Sequence, residues 1–205
     1  EDCVIAGVAM AHLIFQHYDS NLQLTTHISD GEEVTTGTVV FEVEGSSQSL
    51  LATERLVLNC MQRMSGIATR TSEVVKSLEG TPTRVLDTRK TSPGLRAFEK
   101  QAVMMGGGVN HRMGLYDMIL LKDNHVDYAG SMTSAIEKVA QYLKDRSPDL
   151  RELPIVIETR SFTEIEDAIS ASVKSGILIE RILLDNFSPD KVSEAVERYG
   201  HLVSL

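Results

Sequence analysis

Residues 155–185 read IVIETRSFTEIEDAISASVKSGILIERILLD, and this stretch decides the fold class. It opens on the apolar run 155–158, continues through a helical pattern over residues 161–174, and closes on a second apolar run at residues 182–185. Short continuous apolar runs are typical of strands that are buried on both faces. A strand, a helix and a second strand in this order predict a right-handed crossover in a parallel α/β sheet.

The same order of elements continues on both sides of this stretch. Apolar runs that end in a polar residue also occur at residues 84–87 and 118–122, and helical patterns occur at residues 131–144 and 189–198. A fifth strand is predicted to start near Leu202. The polar strand ends are DTRK at residues 87–90, KD at 122–123, ETR at 158–160 and DN at 185–186. Because binding groups of barrel proteins lie at the carboxyl ends of the strands, we expect these ends to converge on one mouth.

The beginning of the chain has a different pattern. Apolar spacing predicts a short helix over residues 3–18. Strand-like segments separated by glycine-containing turns follow at residues 25–28, 39–43 and 49–51. A long helix, with Thr53 as its cap, is then predicted to run through Leu78.

Domain boundaries follow from this change of pattern. We expect an N-terminal α+β sandwich domain at residues 1–53, a connecting helix at residues 54–80 and a partial α/β barrel domain at residues 81–205. Because four or five strands cannot close a barrel, we expect an incomplete barrel, truncated at Leu205. The start at Glu1 predicts missing N-terminal sequence as well.

Composition restricts the class of protein. The chain of 205 residues is 42% hydrophobic and 24% charged, as is ordinary for a globular protein. Its two cysteines, Cys3 and Cys60, fit no disulfide framework or zinc spacing, so we expect a reducing, cytoplasmic compartment. We expect no membrane partner, because charges interrupt every apolar run. The net charge of −9 argues against nucleic acid as a partner, since that binding depends on clustered Lys and Arg.

Basic residues are concentrated between Asp87 and His125. This segment has six Lys and Arg against four acidic residues, a balance of +2 inside a chain whose net charge is −9. Cations at predicted strand ends and after the glycine turn at 106–108 are Arg89, Lys90, His111, Arg112 and Lys122. A guanidinium binds a planar carboxylate through two parallel hydrogen bonds, and Lys adds a compact charge. Converging cations of this kind predict a small ligand with more than one anionic group.

Two carboxylates close neighbouring predicted strands, Glu158 after residues 155–157 and Asp185 after residues 182–184. Carboxylates that face a phosphate-rich site typically hold hydrated Mg²⁺. Each could equally be a helix N-cap or the structural partner of a neighbouring arginine. The residues alone leave both interpretations open.

Seven blocks of sequence, in order and at consistent spacing, resemble one known family. They read ERLVLN at residues 54–59, MSGIAT at 64–69, DTRKTSPGLR at 87–96, GGGVNHR at 106–112, LKDNH at 121–125, ETR at 158–160 and LDN at 184–186. The chain closely resembles quinolinate phosphoribosyltransferase, also called nicotinate-nucleotide pyrophosphorylase, over essentially its whole length. The resemblance implies an N-terminal β-containing domain, an open seven-stranded α/β barrel, and a homodimer or higher homo-oligomer.

The resemblance also implies a role for individual residues. The quinolinate-binding positions would be Arg55, Thr88, Arg89, His111, Arg112 and Lys122, with Arg55 donated by the neighbouring subunit. The positions that handle phosphoribosyl pyrophosphate would be Lys90, Glu158 and Asp185, of which Glu158 and Asp185 would hold Mg²⁺. The catalytic set would be Lys90, Lys122, Glu158 and Asp185.

The implied reaction joins quinolinate to phosphoribosyl pyrophosphate. The pyridine nitrogen attacks the anomeric carbon, pyrophosphate leaves, and the 2-carboxylate departs as CO₂, giving nicotinate mononucleotide for NAD biosynthesis. The family's glycine-rich phosphate loops have no counterpart before Leu205, which leaves the ribose 5′-phosphate without an obvious cradle.

Two other functions remain open from the sequence. The first is a repurposed relative that keeps the scaffold and acts on another anion, although all five quinolinate-type cations are retained. The second is a non-catalytic, carrier-like binding module, because residues 30–45 resemble the turns of biotinyl or lipoyl domains. No lysine stands in that segment to carry such a group.

Overall fold

The computed structural model describes residues 1–145 and 152–205, which form two compact units, Glu1–Met113 and Gly114–Leu205. The first unit contains β1 (Cys3–Val4), α1 (Val8–Tyr18), β2 (Gln23–Thr26), β3 (Glu33–Val34), β4 (Phe41–Glu44), α2 (Ser47–Ser77) and α3 (Arg96–Met105). The second contains β5 (Ile119–Leu121), α4 (Asp123–Ala129), α5 (Met132–Lys144), β6 (Ile155–Thr159), α6 (Phe162–Ser175), β7 (Arg181–Leu184) and α7 (Pro189–Tyr199). The fold is therefore mixed α/β, as predicted.

Helix α2 is the centre of the first unit. Its apolar residues recur at helical spacing, and Val57, Met64 and Ala68 are buried along one stripe. Helices α1 and α3 both pack against α2. This stripe contributes to both apolar clusters of the unit, through Val57 in one and through Met64 and Ala68 in the other.

Two short antiparallel pairs complete the first unit. Strand β1 pairs with β3, and β2 pairs with β4 in a register that places Gln23 opposite Glu44. The β1 segment is also tied to α2, since the backbone N–H of Val4 donates to Thr69 Oγ1 at 2.9 Å. The β1–β3 pair is therefore held by α2 as well as by its own hydrogen bonds.

The second unit is built on a parallel sheet of order β5-β6-β7. Ile157 lies opposite both Leu121 and Ile182 in the register, and Ile157 and Ile182 are fully buried. Helices α5 and α6 pack together, and Ile136 and Ile165 bring their apolar faces into the same core. Because all three strands run in one direction, their carboxyl ends lie at one edge of the sheet.

Three of the strand predictions in this unit are confirmed. The apolar runs at residues 118–122, 155–158 and 182–185 correspond to β5, β6 and β7, and the predicted helices correspond to α5, α6 and α7. The described part of the chain contains no closed barrel, since its parallel sheet has these three strands. The incomplete barrel and the boundaries at residues 53/54 and 80/81 stay predictions.

Several predictions for the first unit are wrong in detail. Residues 49–51 are helical, because α2 begins at Ser47, and Thr53 is a buried helix residue whose hydroxyl donates to the Ser49 carbonyl at 2.8 Å. The predicted helix over residues 3–18 begins only at Val8. Helices α3 and α4 had no prediction.

Two predicted strands appear only as single parallel bridges. Leu86 bridges to Val109, and Ser204 bridges to Arg181. The first ladder ends after one bridge because the next N–H, that of His111, is bonded by the Asp87 side chain at 2.8 Å. A side-chain acceptor has replaced a backbone acceptor there.

Each helix in the described ranges is too short or too polar to cross a lipid bilayer.

Substitution by alanine is expected to change the unfolding free energy in opposite directions at two glycines. At Gly106 an added Cβ would overlap the Ala68 carbonyl oxygen and lie 2.7 Å from Thr71 Cβ, so Gly106→Ala is expected to lower the unfolding free energy by about 1–3 kcal/mol. At Gly66, inside α2, nothing lies within 4 Å, so Gly66→Ala is expected to raise it by roughly 0.5–1 kcal/mol. Urea unfolding measures both signs, and equal stability of the two variants would contradict this packing of α3 on α2.

Candidate functional site

Asp87 is the centre of a polar cluster in the first unit. Its carboxylate is paired with the ammonium of Lys100, and the two side chains are 6% and 1% exposed. Asp87 Oδ1 also accepts the backbone N–H of His111 at 2.8 Å. The amide nitrogen of Asn110 is satisfied when it donates to Asp87 Oδ2 at 2.5 Å and to the Lys100 carbonyl at 2.9 Å. Both oxygens of this buried anion are therefore bonded.

The predicted substrate-binding residues of the first unit extend from this cluster. Thr88 and Lys90 are exposed, and Thr88 Oγ1 accepts the Lys90 backbone N–H at 3.0 Å. Arg89 is half-buried, and its Nε has no acceptor among residues 1–145 and 152–205. Arg112, 9% exposed, follows His111 directly. Thr88 and Arg89 thus follow Asp87 directly, and His111 and Arg112 lie on the segment that the Asp87 carboxylate holds.

A second network, absent from our sequence analysis, holds the loop after Lys90. Arg63 on α2 donates through Nε to Glu99 Oε1 at 2.8 Å and through Nη2 to Ser92 Oγ at 2.6 Å. The Ser92 backbone N–H donates to Glu99 Oε2 at 3.1 Å. Burial raises the pKa of Glu99, but hydrogen bonds from Arg63 and Ser92 outweigh it, and the net pKa is below the ordinary value. The DTRKTS segment contains no local signal for this contact, because Arg63 is far away in sequence.

Arg96 anchors the same loop from α3. It donates from Nε to Thr91 Oγ1 at 3.2 Å and from Nη1 to the Met113 carbonyl at 3.1 Å. These bonds connect the segment after Arg89 with the segment after Arg112. Arg96 therefore has a structural position, although it belongs to the basic segment that the sequence singled out.

Arg55 is placed apart from this cluster. It lies on an exposed face of α2 and makes no hydrogen bond or ion pair with the described residues. Its predicted role in a neighbouring subunit's site stays a prediction.

The second unit carries its predicted residues at the carboxyl edge of the sheet. Lys122 directly follows β5, Glu158 lies near the end of β6, and Asp185 directly follows β7. Lys122 Nζ lies 3.3 Å from Glu158 Oε1, with the two side chains 43% and 19% exposed. The topology therefore places an ammonium beside a carboxylate, with a second carboxylate on the next strand.

Local hydrogen bonds fix these strand ends. His125 Nδ1 accepts the Lys122 backbone N–H at 3.0 Å, which ties the start of α4 to the end of β5. The Asp185 backbone N–H donates to the Thr159 carbonyl at 2.9 Å. Asn186 adopts a left-handed φ of 57° and donates to Asp185 Oδ2 at 2.9 Å. Left-handed backbone is tolerated by Asn better than by most residues, and it turns the chain sharply after β7.

Arg160, at the end of β6, has a structural partner set. It donates to Asp127 Oδ1 at 2.9 Å and to Glu164 Oε1 at 2.7 Å. The hydrogen bonds that it donates to Asp127, and then those to Glu164, raise the pKa of its guanidinium above the ordinary value. Two residues of the polar strand end ETR thus have different partners. Glu158 faces Lys122, whereas Arg160 joins the end of β6 to α4 and α6.

Two family models match the chain. Residues 67–203 match the C-terminal domain of quinolinate phosphoribosyl transferase, and residues 1–65 match its N-terminal domain. The chain belongs to the quinolinate phosphoribosyltransferase family. The boundary between the two matches falls inside helix α2. The resemblance inferred from the seven blocks of sequence is confirmed.

Relatives of this quinolinate phosphoribosyltransferase family chain include plant and bacterial proteins. Mitochondrial quinolinate phosphoribosyltransferase [decarboxylating] 2a of Nicotiana tabacum is 41% identical over 186 residues, covering 91% of this chain and 52% of that protein. A probable nicotinate-nucleotide pyrophosphorylase [carboxylating] of Synechocystis is 42% identical over 197 residues, covering 96% and 63%. The solved nicotinate-nucleotide pyrophosphorylase of Francisella tularensis superposes with a TM-score of 0.88 at 34% identity, covering 99% and 68%. The chain thus spans about half the length of the tobacco relative. The cytoplasmic location of this chain stays a prediction.

Removal of the Glu99 charge is expected to destabilise the first unit. Glu99→Gln weakens the bonds from Arg63 and Ser92 and should lower the unfolding free energy at neutral pH by about 1–3 kcal/mol. Because the folded-state pKa of Glu99 lies below its unfolded value, the wild-type advantage is full above the unfolded pKa and is lost as pH falls through the folded pKa. Urea unfolding across that range measures the loss, with exposed Glu137→Gln as control. An equal pH dependence in wild type and Glu99→Gln would contradict the assignment.

Proposed function

We propose that the protein carrying this chain transfers the phosphoribosyl group of phosphoribosyl pyrophosphate to quinolinate, with decarboxylation. The products are nicotinate mononucleotide, CO₂ and pyrophosphate, as in NAD biosynthesis. Membership of the family across both of its domains carries the proposal. The cations of the first unit and Lys122 of the second support it, because both substrates carry several negative charges.

Quinolinate presents two adjacent carboxylates on a flat ring, and we assign their binding to the cationic positions that the family resemblance names. Arg89 and Arg112 suit this task because a guanidinium binds a carboxylate through two parallel hydrogen bonds. The buried Arg89 Nε without an acceptor in the described residues is a donor available for such a ligand. Thr88, His111, Lys122 and Arg55 complete the proposed set.

The chemistry follows from the charges that the residues provide. Lys90, exposed beside Thr88, is proposed to offset the charge that develops on the departing pyrophosphate. The Glu158 carboxylate favours an oxocarbenium-like ribose, and Lys122 at 3.3 Å holds that carboxylate in place. Once the ring nitrogen is ribosylated, the positive charge of the pyridinium stabilises the carbanion that the departing CO₂ leaves at C2 of the ring. That carbanion then takes up a proton from water at C2, which gives nicotinate mononucleotide.

Glu158 and Asp185 are the residues proposed to hold Mg²⁺. In the described ranges no three His, Cys, Asp or Glu side chains converge as a complete metal site. Two carboxylates on adjacent strand ends nevertheless fit Mg²⁺, which keeps several waters and commonly binds one or two carboxylates plus substrate oxygens. The ion, when bound, would neutralise charge on the substrate's phosphate oxygens.

The wider assembly is part of the same proposal. We propose that β5, β6 and β7 belong to an incomplete α/β barrel, and that the protein works as a homodimer in which Arg55 enters the partner's site. The exposed position of Arg55 on α2 supports this arrangement. Nucleic acid and membranes are not proposed as partners.

The alternative functions gain no support. The carrier-like turn contains Asp30, whose carboxylate accepts the backbone N–H groups of Gly7 at 2.6 Å and Val8 at 2.8 Å. This turn therefore caps α1 and is a structural element. A repurposed relative would be expected to lose quinolinate-type cations, whereas Arg89, His111 and Arg112 are retained on one cluster.

The activity is tested by incubating the full-length protein with quinolinate, phosphoribosyl pyrophosphate and Mg²⁺ and detecting nicotinate mononucleotide by mass spectrometry. Lys122→Met is expected to lower kcat/KM by about 100-fold or more, because it removes the cation beside Glu158. Lys138→Met, at an exposed lysine of α5, is the matched control and should match wild type. A folded wild type that makes no product would overturn the proposed reaction.

Donation of Arg55 across an interface predicts complementation. Arg55→Ala and Lys122→Met are each expected to be nearly inactive, yet a mixture of the two should recover about a quarter of wild-type activity, since half of the dimers are mixed and one of their two sites is intact. The mixture is refolded or co-expressed to exchange subunits. Failure to recover activity in proven mixed dimers would place Arg55 in its own subunit's site or outside any site.

A further inference from the structure

Lys100 is a buried cation that the proposed reaction does not use. It lies on α3, its side chain is 1% exposed, and its ammonium is paired with Asp87 Oδ1. An ion pair buried in this way seldom adds stability beyond that of packed apolar residues, because both ions lose their water. A contribution to stability therefore does not explain why Lys100 and Asp87 are charged residues.

The partner of Lys100 joins two segments that carry substrate-binding residues. The Asp87 backbone N–H donates to the Val109 carbonyl at 3.1 Å, and Asp87 Oδ1 accepts the His111 N–H at 2.8 Å. The proposed ligands Thr88 and Arg89 come immediately after Asp87. One carboxylate thus determines where both segments begin.

The charge of that carboxylate is unfavourable for the proposed ligands. A buried anion that is bonded to the His111 backbone N–H and lies two residues before Arg89 in the chain would offset part of the attraction of these cations for a dicarboxylate, because Coulomb interactions are strong in a medium of low dielectric constant. Lys100 cancels this charge where solvent cannot do so. Replacing both the Lys100 ammonium and the Asp87 carboxylate by neutral groups would remove this negative charge equally well.

We propose that Lys100 is a positioning residue that neutralises Asp87 and keeps its carboxylate on the His111 N–H. It does not touch the substrate; it acts through Asp87 on the two anion-binding segments. The inference rests on the proposed function for the identity of the anion. It does not rest on that function for the effect of Lys100 on the two segments.

Three variants separate charge compensation from simple packing. Lys100→Met leaves Asp87 buried without its cation and is expected to weaken quinolinate binding, measured by calorimetry, by about tenfold or more. The double variant Lys100→Met with Asp87→Asn keeps an oxygen for the His111 N–H, removes both charges, and is expected to recover most of the loss. Asp87→Asn alone leaves Lys100 unpaired and is expected to lower stability. Exposed Lys191→Met is the control and should bind as wild type.

Recovery in the double variant is the deciding result. If the double variant binds quinolinate as weakly as Lys100→Met, or more weakly, Lys100 is a packing residue and the inference is wrong. A recovery of affinity to within about threefold of wild type supports charge compensation, because a packing defect would add to the second substitution. Product formation by wild type in the same preparations tests the proposed reaction separately.

Hydrogen exchange decides the inference if wild type does not bind quinolinate, an outcome that contradicts the proposed function alone. Lys100→Met is expected to speed exchange in residues 87–91 and 109–113 together, and the double variant to slow it again. Faster exchange in one segment only, or in neither, overturns the positioning role. Exchange in β5, β6 and β7 serves as the internal reference, since these strands belong to the other unit.

Discussion

Parallel pairing of buried strands is the constraint on which the second unit depends. Strands β5, β6 and β7 pair with one another in this order, β7 also bridges to Ser204, and residues such as Ile157 and Ile182 are withdrawn from water entirely. Parallel strands need a return connection, and helices α5 and α6 provide both the return and the apolar cover. The edge that remains for polar side chains is the carboxyl edge, where Lys122 and Glu158 lie 3.3 Å apart.

In the first unit a side chain takes over where the backbone ladder stops. Leu86 and Val109 form a single parallel bridge. The next backbone N–H, that of His111, then donates to the carboxylate of Asp87. A carboxylate can accept several hydrogen bonds, and Asp87 Oδ1 accepts both the His111 N–H and the Lys100 ammonium. The two segments that meet at Asp87 are rich in cations.

The parts of the fold that could be predicted are those whose signal is local. The runs 118–122, 155–158 and 182–185 are continuous apolar segments of strand length, and they became strands. Residues 49–51 have the local pattern of a strand, but they are helical, because α2 already begins at Ser47. Leu50 packs against the apolar cluster that includes α1, and this contact favours the helix. The bridge at Leu86 depends on a partner far along the chain. Tertiary contact decided each of these cases.

The residues of the candidate site also differ in whether a local sequence signal reveals them. Cations at strand ends such as Lys122 are visible in the sequence because the strands that present them are visible, and the family resemblance gives them roles. Lys100 and Glu99 adjoin each other on an ordinary-looking charged helix, and nothing local distinguishes them from solvated residues. Only the pairing with Asp87 and Arg63 shows that both face inward.

The continuity of α2 has a consequence for how this family is divided into domains. The N-terminal model ends at residue 65 and the C-terminal model begins at residue 67, yet one helix of 31 residues runs from Ser47 to Ser77 across that point. A cut at the boundary would separate Val57 and Met61, which pack with α1, from Ala68, which packs with Ala102 of α3. It would also leave two shorter helices, and short isolated helices are marginal in water. The two matched domains therefore share one helix, and neither match contains the whole of it.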